Sequence, residues 1–242
     1  MVGSNFERAR TPEAKRLREN AILTAAAHLA TLHGVREVTL TAIADEVGMH
    51  KSALLRYFET REEIYLQLAA TGYDEWSVAV RSRLAAIPRS SPVDGRPGLQ
   101  IAESIATVLA QSLVERPLFC DLLAHTPLNL ERNVSLAALR TFKLRAIADT
   151  AEVAAAIAEI TQLPSDQASN VVLTATVMAG ALWQMAAPGT HLRAFYETDP
   201  ELTHAVIDVG PRVTDILTAL INGYTLDRSA GLSASTPRNT EQ

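Results

Sequence analysis

The sequence of 242 residues holds a single cysteine, Cys120. This scarcity excludes an intramolecular disulfide and any metal site that needs several thiolates, and it is typical of proteins in a reducing cytoplasm. No uncharged apolar run reaches the roughly 20 residues of a membrane-spanning helix, because polar side chains and a glycine interrupt the nearest candidate, 171–188. The polar N-terminal region does not resemble a signal peptide. We therefore expect a cytoplasmic protein without a membrane partner.

Sequence motifs of catalysis and metal binding are also missing. The six histidines show no metal-ligand spacing, and the sequence has neither a glycine-rich phosphate loop nor a nucleophile elbow. Cys120 lies in an apolar stretch, which is typical of a buried thiol rather than a nucleophile. We expect no catalytic residue, no metal and no cofactor. Two other interpretations remain open, an enzyme and an all-helical carrier of apolar molecules that does not contact DNA.

The net charge of −5 is unevenly distributed. Residues 1–62 hold nine basic and eight acidic side chains, whereas residues 63–242 hold thirteen and nineteen. The distribution of charge bears on nucleic-acid binding more than its total does. An acidic chain with a slightly basic N-terminal region is compatible with a DNA partner, although solvated basic tails are common.

Alanine, leucine, glutamate and arginine recur at three- and four-residue spacing, which predicts an all-α protein. Thr11 and Pro12 predict the start of the first helix, and Gly34 predicts its end. Thr39 and Thr60 are expected to be the N-caps of later helices. The predicted helices after the first are 39–48, 51–57, 60–87, 99–114, 118–124, 135–160, 165–187 and 211–224.

These patterns divide the chain into four predicted segments. A flexible basic tail spans 1–11, and a three-helix helix-turn-helix DNA-binding domain spans 12–62. A larger helical ligand-binding and dimerisation domain spans 63–225 and contains a proline-rich linker at 88–98. A disordered C-terminal tail spans 226–242, because its residues are polar and rich in serine and threonine.

The stretch 39–61, TLTAIADEVGMHKSALLRYFETR, is the most informative part of the sequence. Two short helices joined at a glycine must meet at a steep angle, and the outward side of the second helix can enter the major groove. Hydroxyls and cations at the helix ends can contact phosphates. The predicted DNA-binding residues are Thr39, Thr41, His50, Lys51, Ser52, Leu55, Arg56, Tyr57 and Arg61. Spacing alone leaves an ordinary three-helix bundle equally open.

The same stretch resembles the N-terminal domain of the TetR (tetracycline-repressor) family. The matching residues are Thr39, Ile43, Ala44, Glu46, Gly48, Lys51, Leu54, Tyr57, Phe58, Arg61, Glu62 and Ile64, together with the preceding helix 21–34. The resemblance implies a homodimeric repressor that binds a palindromic DNA operator and releases it when a small-molecule effector binds. Leu55, Ser52 and Thr41 depart from the residues common in the family, so the operator sequence stays open.

The larger domain resembles the family only in its helical pattern. Aromatic and polar residues that can line a pocket are Tyr73, Trp76, Phe119, His125, Asn129, Phe142 and Trp183. Each is also compatible with an ordinary core position. The polar segment 130–135 fits either a pocket mouth or a capping loop.

The helices 165–187 and 211–224 occupy the places of the family's dimer interface. The candidate interface residues are Leu173, Val177, Gly180, Ala181, Leu217 and Leu220. Small residues allow close helix packing, but the same pattern suits a buried core within one subunit.

Overall fold

The structure, a computed structural model, describes residues 12–87, 99–186 and 191–234, and these ranges contain helices and no strand. The α-helices are α1 (Pro12–His33), α2 (Leu40–Glu46), α3 (Lys51–Leu54), α4 (Arg61–Ala85), α5 (Leu99–Val114), α6 (Pro117–His125), α7 (Leu136–Thr161), α8 (Ser165–Ala186), α9 (His191–Thr198) and α10 (Val209–Ala234). A π-helical turn (Thr126–Leu130) follows α6, and a 3-10 turn (Thr203–Ala205) precedes α10. The predicted all-α fold is confirmed.

The helix boundaries of the N-terminal region follow the predicted signals. Gly34 and Gly48 have φ angles of 83° and 68°, which a glycine adopts without steric cost. The Thr39 side chain accepts a hydrogen bond from the Ala42 N–H, and the Thr60 side chain accepts one from the Glu63 N–H. The capping predictions at both threonines are therefore confirmed.

Three elements differ from the prediction. Helix α10 continues to Ala234, so residues 226–234 are helical and not part of a disordered tail. Helix α3 ends at Leu54 rather than Tyr57, and α9 was not predicted. The predicted tail 1–11, the linker 88–98 and residues 235–242 lie outside the described residues.

The buried side chains form two clusters. One lies within the larger domain around Trp76, whose indole N–H donates to the Ser112 hydroxyl at 2.9 Å. The other joins α1 to α3 with the first half of α4, and it also contains Leu122, Leu130 and Phe142 of the larger domain. The second cluster therefore holds the N-terminal helices and the larger domain together.

Two glycines allow helices to approach closely. A Cβ at Gly180 of α8 would lie 2.8 Å from the backbone nitrogen of Ala124 at α6. A Cβ at Gly72 of α4 would lie 2.5 Å from the ring of Phe119. Gly180 thus serves contact inside the subunit, which differs from its predicted place in a dimer interface.

No helix of the described ranges combines the length and the apolarity that crossing a membrane requires.

Candidate DNA-binding surface and effector cavity

Helices α2 and α3 bury their apolar sides against α1 and leave their polar sides exposed. Ile43 and Leu54 are fully buried in the cluster shared with α1. The helices are joined at Gly48, whose N–H donates to the Asp45 carbonyl. The two short helices therefore form the predicted helix-turn-helix, with the outer side of α3 free to meet a duplex.

The start of α3 presents a compact set of exposed polar groups. His50 is the N-cap, and its Nδ1 atom accepts from the Ser52 N–H at 3.3 Å and lies 2.8 Å from the Ser52 hydroxyl. Because Nδ1 is used as an acceptor, Nε2 is the donor nitrogen of that ring. Lys51 and Arg56 are exposed, and Leu55 is 43% exposed.

The other residues near α2 and α3 that are predicted to contact DNA differ in how exposed their side chains are. Thr41 is exposed on the first turn of α2. Thr39 is exposed too, although its hydroxyl oxygen already caps that helix. Tyr57 is half-buried and packs on the N-terminal core.

Arg61 does not lie free for a phosphate. Its side chain is 15% exposed, and its guanidinium donates to the backbone carbonyls of Val35 and Val38. It also pairs with Glu62 at 3.1 Å and lies 4.7 Å from the ring centroid of Tyr65. The arginine thus fastens the α1–α2 loop to the start of α4, in contrast to its predicted DNA contact.

Asp121 of α6 links the larger domain to the same loop. Its carboxylate accepts from the Val35 N–H at 2.7 Å and from the Gln184 side chain of α8 at 2.6 Å, and it lies 3.4 Å from His125 Nε2. Burial alone would raise the pKa of Asp121, but the hydrogen bonds from His125, Val35 and Gln184 outweigh it and lower the pKa. One half-buried carboxylate therefore joins α6, α8 and the loop before α2.

A cavity of about 390 Å³ opens between α4, the π-helical turn, α7 and α8. Its described lining residues are Tyr73, Thr126, Glu131, Phe142, Lys143, Ala146, Ile147, Thr150, Ala151, Ser169, Asn170, Leu173 and Thr176. Glu131 and Lys143 form an ion pair at 2.6 Å. Burial and the nearby Glu131 charge raise the pKa of Tyr73 to about 12, so its hydroxyl stays protonated.

A second cavity of about 280 Å³ lies between α4 and α7. Its described lining residues are Glu63, Leu66, Gln67, Ala70, Ala138, Thr141, Phe142 and Arg145. Phe142 is the residue common to both linings. Its ring therefore separates a cavity next to α8 from one next to the start of α4.

Of the seven predicted effector-binding residues, Tyr73 and Phe142 line the larger cavity. Five others do not line either of these two cavities, namely Trp76, Phe119, His125, Asn129 and Trp183. Trp76 and Phe119 are core residues, and Trp183 packs against the same core. These aromatic side chains belong to the apolar face that each helix packs against the core, and in sequence such a face resembles the lining of a cavity.

Sequence reasoning missed Lys143, Ile147 and Asn170 as lining residues, and it assigned Leu173 to a dimer interface. Glu131 belonged to the polar segment 130–135, which was compatible with a pocket mouth. The spacing of twelve residues between Glu131 and Lys143 carries no motif. Their contact depends on how α7 folds back after the loop.

The outer faces of α8 and α10 leave apolar side chains exposed. Leu173 and Val177 are 60% and 57% exposed, and Ala181 is exposed one turn later. Leu217, in contrast, is fully buried in its own subunit, and Leu220 packs against that core. Burial within the subunit therefore separates Leu217 and Gly180 from the exposed Leu173, Val177 and Ala181.

The single cysteine, Cys120, lies in the core of the larger domain. Cys120 is fully buried, and burial followed by the Asp121 charge raises its pKa to about 12, which suppresses the nucleophilic thiolate. Its thiol donates to the Leu113 carbonyl. In the described ranges, histidine, cysteine and acidic side chains do not cluster as metal ligands would.

Comparisons with known proteins agree with this architecture. A family model described as bacterial regulatory proteins, tetR family, matches residues 22–68, and one described as tetracyclin repressor-like, C-terminal domain, matches residues 70–228. No curated protein sequence matches the chain.

Solved structures of low identity share the fold. FadR of Bacillus halodurans, a fatty acid degradation regulator, is 14% identical with a TM-score of 0.50, over 87% of this chain and 97% of that one. FadR of Bacillus subtilis in complex with stearoyl-CoA is 14% identical with a TM-score of 0.51, over 83% and 97%. AibR in complex with isovaleryl coenzyme A and operator DNA is 15% identical with a TM-score of 0.52, over 85% and 98%.

The C-terminal family match alone spans more than half of the chain, and the N-terminal match precedes it with the helix-turn-helix at its centre. The chain therefore belongs to the TetR family of ligand-responsive transcriptional regulators.

Proposed function

We propose that the protein is a homodimeric repressor that reads its operator with the exposed side of α3. The observation that carries this proposal is the set of exposed polar side chains at α3, whose Leu54 is buried: His50 at its N-cap, Lys51 and Ser52 on its first turn, and Arg56 just after its end. Lys51 and Arg56 suit guanine edges or phosphates, and His50 and Ser52 supply shorter polar contacts. The proposed surface is completed by Thr39, Thr41, Leu55 and Tyr57. Arg61 holds the α1–α2 loop next to it through the Val35 and Val38 carbonyls.

Leu55 places an exposed apolar side chain among the hydrogen-bond donors of this surface. A side chain of this kind contacts a thymine methyl and makes no hydrogen bond to phosphate. The operator is therefore expected to carry a thymine where Leu55 approaches. Selection of bound duplexes from a random DNA library tests both the palindrome and this base preference.

Lys51→Ala is the matched variant for that selection. Loss of a base-reading cation is expected to lower operator affinity about tenfold and to relax the preference at one position of each half-site. Binding curves on the operator and on a scrambled duplex measure the difference. Equal losses on both duplexes would assign Lys51 to phosphate binding instead. No enriched motif even at low salt would overturn the proposed operator reading.

The proposed dimer interface lies on the exposed faces of α8 and α10. On α8 it includes Leu173, Val177 and Ala181, which repeat at four-residue spacing. On α10 the exposed Ala219 and Gly223 allow close helix approach. Val177→Arg is expected to yield a folded monomer in sedimentation, whereas Asp166→Arg on the exposed first turn of α8 is expected to remain a dimer. A dimeric Val177→Arg protein would contradict this interface.

Asp121 is proposed to couple the effector domain to the recognition helices. Helices α6 and α8 reach the α1–α2 loop through its carboxylate, and Arg61 fastens the other side of that loop. Asp121→Asn replaces an acceptor with a donor amide and is expected to change operator affinity although residue 121 lies on α6. The control is Asp166→Asn, and equal operator affinity for wild type and Asp121→Asn would exclude this link.

The larger cavity is proposed as the effector site. The acyl-CoA thioesters bound in the AibR and FadR complexes are natural ligands to compare, although a shared fold at such low identity does not transfer a ligand. We infer a protein that acts in the cytoplasm on chromosomal DNA and catalyses no reaction. The buried, protonated Cys120 and the regulator family support that inference.

A further inference from the structure

Four hydroxyls in the wall of the larger cavity are available only as hydrogen-bond acceptors. The hydroxyls of Thr126, Thr150 and Thr176 donate their protons to carbonyls of their own helical turns, and so does the hydroxyl of Ser169. A hydroxyl that has donated its proton retains only acceptor capacity. At these four positions a ligand that brings its own donors therefore fits better than one that needs donors from the wall.

Glu131 adds a full negative charge to that wall. Its side chain is 19% exposed, whereas that of its partner Lys143 is 49% exposed. The carboxylate is thus fixed beside the cavity, and the lysine reaches it from the solvent side of α7. Because the lysine has water available as an alternative environment, it can leave the pair at a lower desolvation cost than the carboxylate can.

The Lys143 ammonium also lies 6.0 Å from the ring centroid of Phe142. An ammonium between a carboxylate and an aromatic ring is the arrangement with which proteins bind organic cations. In this structure the chain supplies that ammonium itself. Beyond it, Ala146, Ile147 and Leu173 provide an apolar surface for the body of a ligand.

From this geometry we propose that the cavity binds an amphiphilic organic cation whose ammonium replaces Lys143 at Glu131. The apolar part of the ligand then packs on Phe142, Ala146 and Ile147. This proposal rests on the proposed effector role of the cavity. It departs from the anionic thioesters of the structural relatives, which would require Lys143 and would be repelled by Glu131.

Four probes of equal chain length separate the possibilities: decylammonium, decanol, decanoate and decanoyl-CoA, each used below its micellar concentration. Calorimetric titration of the full-length protein is expected to give the tightest binding for decylammonium. Glu131→Gln is expected to weaken decylammonium binding about tenfold, as for the loss of one charged hydrogen bond, and to leave decanol unchanged. Lys143→Met is expected to tighten decylammonium binding, because the carboxylate loses its internal partner.

Arg145→Met is the matched control, since Arg145 lies two residues along α7 and lines the other cavity. It is expected to leave all four affinities unchanged, and thermal unfolding of each variant verifies folding. Tighter binding of decanoate or decanoyl-CoA than of decylammonium, with loss of that binding in Lys143→Met, would overturn the cation proposal. So would the absence of decylammonium binding.

The effector role is tested separately on operator DNA. Decylammonium that binds with the expected variant pattern but does not release operator would contradict the effector role and leave the cation site intact. Release of operator by decylammonium, diminished in Glu131→Gln, supports both.

Discussion

On the DNA-binding surface, exposed cations lie on a short helix that is capped by a neighbouring side chain and supported by a buried arginine. In the effector cavity, hydroxyls are bonded to their own helices and one ion pair carries the charge. The proposed DNA-binding surface presents hydrogen-bond donors to the phosphates of DNA. The cavity presents the acceptor oxygens of four hydroxyls around an apolar space. The two proposals therefore assign ligands of opposite charge to two regions of one chain.

The comparison also separates residues that recognise a ligand from residues that hold the region in shape. Lys51 is exposed and makes no contribution to the core, whereas Arg61 is largely buried under the same surface. On the cavity side, Glu131 faces the ligand space, and Gly180 packs α8 on α6. The following substitutions test whether recognition and packing are separable in both regions.

The largest effect is expected for Gly180→Ala. The added methyl would meet backbone atoms of α6, which cannot rotate away, so overpacking is expected to lower the free energy of unfolding by about 3 kcal/mol. Gly210→Ala is the control, because its Cβ would make an ordinary 3.7 Å contact with Val114. Urea unfolding measures both. Equal stability of the two variants would show that the α6–α8 contact relaxes freely.

Arg61→Ala is expected to lower the free energy of unfolding by about 2 kcal/mol, because the Val35 and Val38 carbonyls lose charged donors. Lys51→Ala is expected to change it by less than about 0.5 kcal/mol, as for an exposed side chain. Thermal or urea unfolding of the two variants makes the test. A stable Arg61→Ala protein with weakened binding to all DNA would restore Arg61 to the phosphate-binding group.

Leu55→Tyr is expected to raise affinity for all duplexes by about 1 kcal/mol, the value of one added hydrogen bond. The phenol would reach the phosphate backbone from an exposed position where an aliphatic chain stands now. Leu55→Phe supplies the same ring without the hydroxyl and is the matched control. Electrophoretic mobility shifts at fixed salt compare them, and an equal gain in both variants would attribute it to the ring.

The smallest effect is expected in the pH dependence of stability at Asp121. Its pKa is lowered in the folded protein, so its contribution is present above the ordinary aspartate value of about 3.9 and is lost as pH falls through the folded value. The stability difference between wild type and Asp121→Asn is therefore expected to be constant near neutrality and to shrink below about pH 4. A difference that persists unchanged at acid pH would contradict this linkage.

The DNA-binding surface was predictable because its determinants are close in sequence. Thr39, Gly48 and Thr60 each act on backbone groups within a few residues. For Arg61 the sequence predicted a phosphate contact and did not indicate its contacts with the Val35 and Val38 carbonyls, which are 26 and 23 residues away. The sequence around a basic residue at a helix start does not reveal whether its side chain contacts a phosphate or a carbonyl of a distant loop.

The cavity was less predictable because four elements distant in sequence form its wall. Tyr73 and Phe142 were found from their aromatic character, but the same rule also selected Trp76, which fills the core. Leu217 shows the same ambiguity on α10, since an apolar stripe does not reveal which helix covers it. Tertiary packing decides between a core, a cavity and an interface.

The second hydrophobic cluster limits how the DNA-binding helices can be exchanged between related proteins. Because Leu122, Leu130 and Phe142 complete the core under α1 to α3, residues 12–62 do not form an independent hydrophobic core. A chimaera cut between residues 62 and 63 would leave an apolar face uncovered and would favour aggregation. Grafting these helices onto another sensor domain therefore requires the first half of α4 and the contacts from α6, the π-helical turn and α7 as well, and recombination between relatives is constrained in the same way.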